Sequence, residues 1–301
     1  MRAVVTGGAG FIGSHVVEAL VARDDDVHVL DNLATGKREN VPEGARLQVG
    51  DIRSDCDTIF DEARPEACFH FAAQADLRVS VERADFDADV NVLGTIRVLE
   101  AARRHGTKIV FASTGGAIYG ECDGPAGEDA PRRPLAPYGT AKLAAEEYIQ
   151  TYNRLHGSSH VVLRYGNVYG PRQDPHGEAG VVAIFMNRLR GGDAPRIYGD
   201  GTQTRDYVYV ADGVDAALAA LRGDGGIYNI ATGKETSVIE LLERIQRVAG
   251  TNAEPEFVEP RPGELQRSVL DVTLAKRELG WEPQHSLDEG LAETWAWISS
   301  T

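Results

Sequence analysis

Short apolar runs alternate with longer segments of helical periodicity over the first two-thirds of the chain. The apolar runs lack polar alternation, which indicates strands that are buried on both faces of a parallel sheet. Regular alternation of strands and helices predicts an α/β fold with a doubly wound parallel sheet. The predicted strands are Ala3–Val5, Val27–Leu30, Leu47–Val49, Ala67–Phe71, Ile109–Phe111 and Val161–Leu163, and the predicted helices are Phe11–Ala22, Ile59–Ala63, Asp85–His105 and Tyr138–His156.

The pattern changes after Tyr165, where the predicted elements become shorter and Gly and Pro residues separate them. We therefore predict one domain over residues 1–166 and a smaller, mixed α/β region that binds substrate over residues 167–301. Residues 204–232 are expected to rejoin the first domain, because this stretch contains two strand patterns. The strands predicted in this part are Asp206–Val210 and Ile227–Ile230, and the helices are Val238–Val248 and Leu287–Ile298.

A glycine-rich turn with the spacing GxxGxxG joins the first predicted strand to the first predicted helix. Gly7 permits a tight turn, Gly10 lets the backbone approach a pyrophosphate, and Gly13 permits close helix–strand packing. Phe11 and Ile12 open the helix, whose N-terminus favours phosphate groups. The strand–turn–helix context therefore predicts a dinucleotide site rather than a purely structural turn.

Further candidate cofactor residues follow the next strands. Asp31 ends the second strand about 20 residues after the glycines, where an acid binds the adenosine ribose hydroxyls. Its charge would repel a 2′-phosphate, so the sequence favours NAD over NADP, while Lys37 and Arg38 keep NADP as the alternative. The carboxyl ends of the third and fourth strands, where ligands bind in this architecture, carry Asp51, Phe71, Ala72 and Ala73.

A candidate catalytic set lies at the start of the helix predicted from Tyr138. Tyr138 and Lys142 have i, i+4 spacing, so their side chains share one face of the helix. The Lys142 ammonium is expected to lower the Tyr138 pKa and to make the phenol a general base. Ser113 and Thr114 end the preceding strand and supply a hydroxyl at the same edge of the sheet. With the dinucleotide site, these residues are suited to oxidoreductase chemistry.

The composition argues against several classes of binding partner. The chain has 46 Asp and Glu against 31 Lys and Arg, and its formal net charge of −15 argues against a nucleic-acid partner. Its three cysteines and eight histidines lack disulfide or metal-ligand spacing, so we expect a reducing compartment and no metal. No apolar run reaches the roughly 20 residues of a membrane span, and MRAVVTGG is not a signal peptide. The expectation is a cytoplasmic protein without a membrane partner.

The motifs together resemble the extended short-chain dehydrogenase/reductases and, within them, the UDP-glucose (UDP-galactose) 4-epimerases. The resembling segments cover nearly the whole chain in family order: TGGAGFIGSH, DNLATGKREN, GDIR, HFAAQ, NVLGT, ASTGGAIYGE, PYGTAK, LRYGNVYGPRQDP, GDGTQTRDYVYV, YNIATGKETSV and RPGE. The resemblance implies a Rossmann-like NAD-binding domain, a nucleotide-sugar-binding region and an isomerase activity. It also implies a homodimer formed through the Asp85–His105 and Tyr138–His156 helices.

The resemblance also implies individual roles. Tyr138 would be the base and Thr114 its hydrogen-bonding partner. The residues implied to contact NAD are Gly7, Gly10, Phe11, Ile12, Gly13, Asp31, Asn32, Asp51, Ile52, Phe71, Ala72, Ala73, Asn91, Ser113, Tyr138 and Lys142. The residues implied to contact the UDP-sugar are Thr114, Tyr138, Asn167, Val181, Val182, Arg205, Arg261, Glu264 and Ser268.

The chain departs from the family pattern at the catalytic hydroxyl. Counting back from Tyr119 places this hydroxyl on Gly115, which has none, whereas counting forward from Phe111 places it on Thr114. We prefer the second count because a strand fixes position better than a Gly-Gly turn does. Ser113 remains the alternative.

The predicted reaction is NAD-dependent 4-epimerisation of UDP-glucose and UDP-galactose through a 4-keto sugar. Dehydratases and decarboxylases of the family carry an acid after the catalytic hydroxyl residue, where this chain has Gly115-Gly116-Ala117. UDP-glucuronate 4-epimerase stays an alternative, with Arg172 as the cation for the extra carboxylate, and so does a non-catalytic NAD-binding regulator. Ser268 stands at the family position that faces the sugar 2-substituent, and its small size predicts that UDP-GlcNAc and UDP-GalNAc also fit.

Overall fold

The computed structural model describes residues 1–175, 180–260 and 264–300. Its strands are β1 (Arg2–Thr6), β2 (Asp26–Asp31), β3 (Ala45–Val49), β4 (Ala67–His70), β5 (Lys108–Thr114), β6 (Val161–Tyr165), β7 (Asn167–Tyr169), β8 (Arg196–Tyr198), β9 (Thr204–Arg205), β10 (Tyr207–Tyr209), β11 (Gly226–Ile230), β12 (Thr236–Ser237) and β13 (Glu256–Val258). Its α-helices are α1 (Phe11–Val21), α2 (Cys56–Ala63), α3 (Leu77–Glu82), α4 (Ala84–Ala88), α5 (Gly94–His105), α6 (Gly115–Ile118), α7 (Pro137–His156), α8 (Val181–Arg190), α9 (Val210–Ala219), α10 (Val238–Ala249), α11 (Thr273–Leu279) and α12 (Leu287–Ser300). A π-helical turn covers Asp89–Leu93, and 3₁₀ turns cover Arg38–Asn40 and Ala220–Arg222.

A seven-stranded sheet with the order β11-β6-β5-β4-β1-β2-β3 forms the centre of the fold. All its neighbouring strands are parallel. The chain fills the β1-β2-β3 side first and then crosses over to β4, so the strand order reverses beside β1. The carboxyl ends of β1 and β4 therefore flank a crevice, which is where this class of sheet binds its ligands.

Helices cover both faces of the sheet. On one face, Val16 and Leu20 of α1 pack with Val214 of α9 in one apolar cluster. On the other face, Phe60 of α2 and Leu99 of α5 belong to a second cluster that also includes part of α7. The predicted doubly wound α/β fold is confirmed, and the strands are apolar on both sides because both sides are covered.

The rest of the chain forms a smaller assembly beside the carboxyl end of the sheet. It contains three two-stranded pairs, β7 with β10, β8 with β13 and β9 with β12. Residues of β7, β8 and β10 form a third apolar cluster with helices α8, α10 and α12. Strand β11 lies in the main sheet beside β6, whereas β10 pairs with β7 outside it, so only one of the two strands expected to rejoin the first domain enters the sheet. Helices α8 and α9 were not predicted, and α9 brings the chain back against α1.

The segment predicted as one long helix, Asp85–His105, is interrupted by the π-helical turn at Asp89–Leu93. The wider turn changes which side chains face inward. Within this turn Leu93 is 51% exposed, whereas Asn91 is buried. Such turns are frequent at functional sites, and this one lies beside the loop that follows β4.

Candidate active site

The glycine turn brings the end of β1 against the end of β4. Gly7 has a φ of +70°, and a Cβ there would lie 2.5 Å from the Ala72 amide nitrogen. A Cβ on Gly13 would lie 2.2 Å from the Gly7 carbonyl oxygen, so neither position tolerates a side chain. A Cβ on Gly10 would meet only the Gly7 carbonyl oxygen, at 3.2 Å. The N-terminus of α1, where Phe11 and Ile12 are half-buried, therefore faces open space at Gly10.

Asp31 fastens this turn to the end of β2. Its Oδ2 accepts a hydrogen bond from the Ala9 amide at 2.9 Å, and its Oδ1 accepts one from the Leu33 amide at 2.8 Å. The carboxylate is buried, yet each oxygen can accept a further hydrogen bond. The geometry leaves Asp31 able to bind two ribose hydroxyls.

Asp51 and Asn32 meet beyond the ends of β2 and β3. The Asn32 amide donates to Asp51 Oδ2 at 3.3 Å, and Arg53 donates to both Asp51 oxygens at 2.9 and 2.8 Å. The Arg53 hydrogen bond is the largest influence that lowers the pKa of Asp51 to about 2. Arg53 also donates to Asp89 at 2.8 Å and so connects this corner to the π-helical turn. Ile52, which lies between Asp51 and Arg53 in the sequence, is buried.

Asn91 holds the loop that follows β4. Its Oδ1 accepts from the Gln74 amide at 2.9 Å, and its Nδ2 donates to the Gln74 carbonyl oxygen at 2.8 Å. Asp87 Oδ2 accepts from the side chains of both Gln74 and Asn91, at 3.0 and 3.1 Å. This buried network fixes the loop that starts with Phe71, Ala72 and Ala73, all of them half-buried. The hydrogen bonds of Asn91 thus position the loop.

Tyr138 and Lys142 meet on the face of α7 that packs against β5. Lys142 is buried, its Nζ donates to the Ala112 carbonyl oxygen at 2.9 Å, and this nitrogen lies 6.0 Å from the centre of the Tyr138 ring. Burial lowers the pKa of Lys142 to about 8. Burial, and after it the charge of Asp87, raises the pKa of Tyr138.

The prediction that Lys142 lowers the pKa of Tyr138 is therefore wrong for the protein alone. Loss of hydration on burial is the largest influence on the Tyr138 pKa, and the charge of Asp87 acts in the same direction. A phenol in this environment remains protonated until a further positive charge is brought close to it.

The two adjacent hydroxyls at the end of β5 have different surroundings. Ser113 is buried, and its Oγ donates to Glu146, which forms an ion pair with the fully buried Arg164. Thr114 is half-buried, and its Oγ1 would lie 4.0 Å from a Cβ on Gly116. Because the Ser113 hydroxyl donates its hydrogen bond to Glu146, Thr114 is the residue with a hydroxyl available to a ligand.

The predicted substrate residues lie beside Thr114 and around β9 and β10. Asn167 Oδ1 would lie 3.6 Å from the same Gly116 Cβ, so the Asn167 amide and the Thr114 hydroxyl border one small space. Arg205 donates to Glu264 at 3.4 Å. The Ser268 amide donates to the Thr204 carbonyl oxygen at 3.2 Å, which places Ser268 beside β9.

Three other predicted substrate residues begin α8 or fall in the RPGE segment. Val181 is half-buried, and Val182 is buried in the third apolar cluster. Arg261 lies outside the described residues.

Several residues that shape the site were not predicted from the sequence. Gln74 and Asp87 position the loop after β4, Arg53 fixes Asp51, and the Arg164–Glu146 pair supports the end of β5. A signal was present for Arg164, because an arginine beside the apolar run Val161–Leu163 falls within a buried strand and then needs a buried partner. Gln74 and Asp87 gave no local signal, since their partners come from different loops.

The described residues fit a dinucleotide with a nicotinamide ring. The open space at Gly10 suits a pyrophosphate at a helix N-terminus, and Asp31 retains acceptor capacity for a ribose. The Tyr138–Lys142 pair lies at the same edge of the sheet. The fold and the site thus define a dinucleotide-dependent enzyme of the Rossmann type.

The chain belongs to the NAD dependent epimerase/dehydratase family, whose model matches residues 3–231. This match confirms the predicted family and the predicted cofactor, NAD.

Individual relatives match almost the whole chain. The chain is 48% identical over 300 residues to a putative UDP-glucose 4-epimerase of Methanocaldococcus jannaschii, covering 99% of this chain and 98% of the relative. The structure of UDP-glucose 4-epimerase with UDP-glucose from Thermotoga maritima superposes with a TM-score of 0.97 at 45% identity, covering 100% and 99% of the two chains. The structure of the Thermus thermophilus UDP-glucose 4-epimerase complex with NAD superposes with a TM-score of 0.94 at 48% identity, covering 99% of both chains.

Proposed function

We propose that this protein is an NAD-dependent UDP-sugar 4-epimerase that interconverts UDP-glucose and UDP-galactose. One observation carries the proposal. The Thr114 hydroxyl and the Tyr138–Lys142 pair lie at the carboxyl end of the sheet. The three residues directly after Thr114, Gly115-Gly116-Ala117, include no acid. The full-length similarity to proteins named UDP-glucose 4-epimerase supports it.

The proposal assigns the cofactor to the crevice beside β1 and β4. Bound NAD supplies a hydride acceptor for sugar carbon 4 and a positively charged ring near Tyr138. The residues proposed to hold NAD are Gly7, Gly10, Phe11, Ile12, Gly13, Asp31, Asn32, Asp51, Ile52, Phe71, Ala72, Ala73 and Lys142, with Asn91 acting through the loop after β4. Ser113 is not retained for this role, because its hydroxyl donates to Glu146 in the core.

Tyr138 is the proposed base that takes the proton from the sugar 4-hydroxyl and later returns it. Burial raises the pKa of Tyr138 in the protein alone and keeps the phenol protonated. Positive charge from Lys142 and from a bound nicotinamide ring would favour the loss of this proton. The Thr114 hydroxyl would hydrogen-bond the reacting oxygen and hold it against Tyr138. Asn167, Arg205 and Glu264 would bind the UDP portion, and the 4-keto sugar would turn between the two half-reactions.

Two alternatives lose support from the described geometry. A Cβ on Gly115 would lie 2.4 Å from Leu270 Cδ1, so the acid of a dehydratase or decarboxylase at the position after Thr114 would require Leu270 to move. Arg172, the cation considered for a UDP-glucuronate carboxylate, forms an ion pair with Glu18 at 2.8 Å and donates to Ser14. Its charge is already matched by a carboxylate of α1.

The test is incubation of the purified protein with UDP-galactose, UDP-GlcNAc and UDP-glucuronate in separate reactions, followed by separation of the 4-epimers. Conversion of UDP-galactose to UDP-glucose is the expected result. Release of a 4-keto-6-deoxy sugar would contradict the proposal in favour of a dehydratase. Absence of any conversion by NAD-loaded protein would favour a non-catalytic regulator.

We also propose a homodimer formed by the face that α3, α5 and α7 share. Apolar side chains on or beside these helices are exposed, namely Leu77, Val81, Leu93, Leu135, Tyr148 and Leu155. A cavity of about 490 Å³ on this face is lined mainly by alanine and proline side chains. Exposed apolar surface of this kind favours association. Sedimentation is expected to show a dimer for the wild type and a monomer for the Leu93→Glu variant.

A cytoplasmic location is proposed from the cysteines. Cys56, Cys68 and Cys122 are all free thiols, as expected in a reducing compartment. Within the described residues, no helix combines the length and the apolar character that a membrane crossing requires.

A further inference from the structure

Tyr207 carries a buried hydroxyl that no protein group satisfies within the described part of the chain. The residue is 5% exposed, and burial raises its pKa, so the phenol keeps its proton and remains a hydrogen-bond donor. An unsatisfied buried donor costs about 1–3 kcal/mol. A hydroxyl kept at that cost indicates a partner outside the described residues, and a bound ligand is one.

The surroundings of this hydroxyl are those of the candidate substrate site. Tyr207 on β10 is paired in parallel register with Asn167 on β7, and residues paired in this way present their side chains on the same face. Asn167 in turn borders the space beside Thr114. Tyr207 therefore belongs to the row of polar groups that leads away from the catalytic hydroxyl.

Two charged residues, Arg205 and Glu264, influence the Tyr207 hydroxyl. Arg205 lowers its pKa and Glu264 raises it, so both charges lie within electrostatic reach. The Arg205 guanidinium is anchored by the Thr204 carbonyl oxygen at 2.7 Å and by Glu264 at 3.4 Å, which leaves other N–H donors free for a ligand. A phosphoryl oxygen accepts hydrogen bonds and donates none, so it suits a site with a guanidinium and a phenol.

We propose that the Tyr207 hydroxyl binds substrate by donating a hydrogen bond to a phosphoryl oxygen of the nucleoside diphosphate beside Arg205. The inference rests on the proposed function, because it takes the ligand to be a UDP-sugar. It adds to that function an uncharged donor, the Tyr207 hydroxyl, which would bind the diphosphate together with the Arg205 guanidinium.

The test compares Tyr207→Phe with Tyr209→Phe. Both tyrosines lie on β10 and both are 5% exposed, but the Tyr209 hydroxyl donates to Glu293 at 2.6 Å. Each variant keeps the aromatic ring. Calorimetric titration with UDP measures affinity, steady-state kinetics with UDP-galactose separates KM from kcat, and thermal unfolding measures stability.

Tyr207→Phe is expected to weaken UDP binding by about 10- to 100-fold, the loss of one hydrogen bond to a charged group. KM for UDP-galactose should rise with it while kcat is unchanged, because the lost contact binds ground state and transition state alike. The free protein should unfold at the same or a higher temperature, since an unsatisfied group is removed. Tyr209→Phe should show the reverse pattern, with lower stability and unchanged UDP affinity.

Equal UDP binding by Tyr207→Phe and wild type would overturn the inference while leaving the epimerase proposal intact. A higher KM for UDP-galactose with unchanged UDP affinity would move the contact to the sugar and would also overturn it. A lower unfolding temperature of free Tyr207→Phe would show that the hydroxyl has a partner within the protein. Failure of the wild type to bind UDP would instead remove the proposed function itself.

Discussion

Removal of the Ser113 hydroxyl and removal of the adjacent Thr114 hydroxyl should have clearly different effects. Ser113→Ala deletes the donor to Glu146 inside the buried ion pair with Arg164, and Thr114→Val replaces the half-buried hydroxyl with a methyl group of similar shape. We expect the first change to reduce stability and the second to reduce turnover.

The structure sets the size of both effects. A hydrogen bond to a charged group contributes about 1.5–3 kcal/mol. The loss at Ser113 should lie near the lower value, because Glu146 keeps its hydrogen bonds to Arg164 at 2.6, 3.0 and 3.1 Å. For a chain of this length, about 1.5 kcal/mol corresponds to roughly 2–3 °C in Tm. At Thr114, loss of one hydrogen bond to the reacting oxygen should slow the reaction about tenfold.

Thermal unfolding and UDP-galactose turnover should be measured on the wild type and on both variants, each loaded with NAD. The expected outcome is a lower Tm with nearly normal kcat for Ser113→Ala, and a normal Tm with reduced kcat for Thr114→Val. If Ser113→Ala reduces kcat more than Thr114→Val does, the assignment of the catalytic hydroxyl from the strand count is incorrect. If Ser113→Ala leaves Tm unchanged, its hydrogen bond to Glu146 does not support the fold.

Three other substitutions and one titration test the remaining assignments. Tyr138→Phe should keep the fold and NAD but lose about 10²- to 10⁴-fold in turnover, measured as UDP-glucose formed, and near-normal turnover would exclude it as the base. Ser268→Tyr should reduce UDP-GlcNAc epimerisation strongly and spare UDP-galactose, because overpacking penalises the bulkier substrate, and equal effects on both would contradict this role. His285 has a pKa raised by its hydrogen bond to Asp212, so its contribution to stability is full below its unfolded pKa of about 6.5 and is lost as pH rises through the folded pKa. His285→Gln should therefore lower Tm more at about pH 5.5 than at about pH 9, and a constant difference would refute the coupling. Apoprotein should bind NAD more tightly than NADP because Asp31 opposes a 2′-phosphate, and the reverse order in a titration would assign control to Lys37 or Arg38.

The parts of the site that a short stretch of sequence builds were predictable. The glycine turn and Asp31 work through neighbours in one strand–turn–helix–strand unit, and the Tyr138–Lys142 pair needs only one turn of helix. The main sheet was predictable for the same reason, since apolar runs buried on both faces differ from helical periodicity along the chain itself.

The remaining features depend on partners that are distant in sequence. Burial raises the pKa of Tyr138, and Asp87, from another helix, raises it further; helical spacing gave no sign of either effect. Glu146 follows the pattern of a solvent-exposed helix face until Arg164 is placed opposite it. The π-helical turn around Asn91 is bridged to the loop after β4 by Gln74, a contact between two segments that propensity treats separately.

The main sheet depends on strand β11, which the chain supplies only after it has built part of the smaller assembly. The chain leaves the main sheet after β6, builds β7 to β10 and helices α8 and α9, and only then supplies the strand that pairs with β6. A fragment that stopped at residue 166 would keep the pairing of β6 with β5 but would leave the other edge of Val161–Tyr165 unpaired. Such edges recruit strands from other molecules, so the fragment should aggregate rather than fold as a separate cofactor-binding unit. Residues 167–225 are in this sense an insertion within the sheet, and shortened versions intended for biophysics should retain Gly226–Ile230.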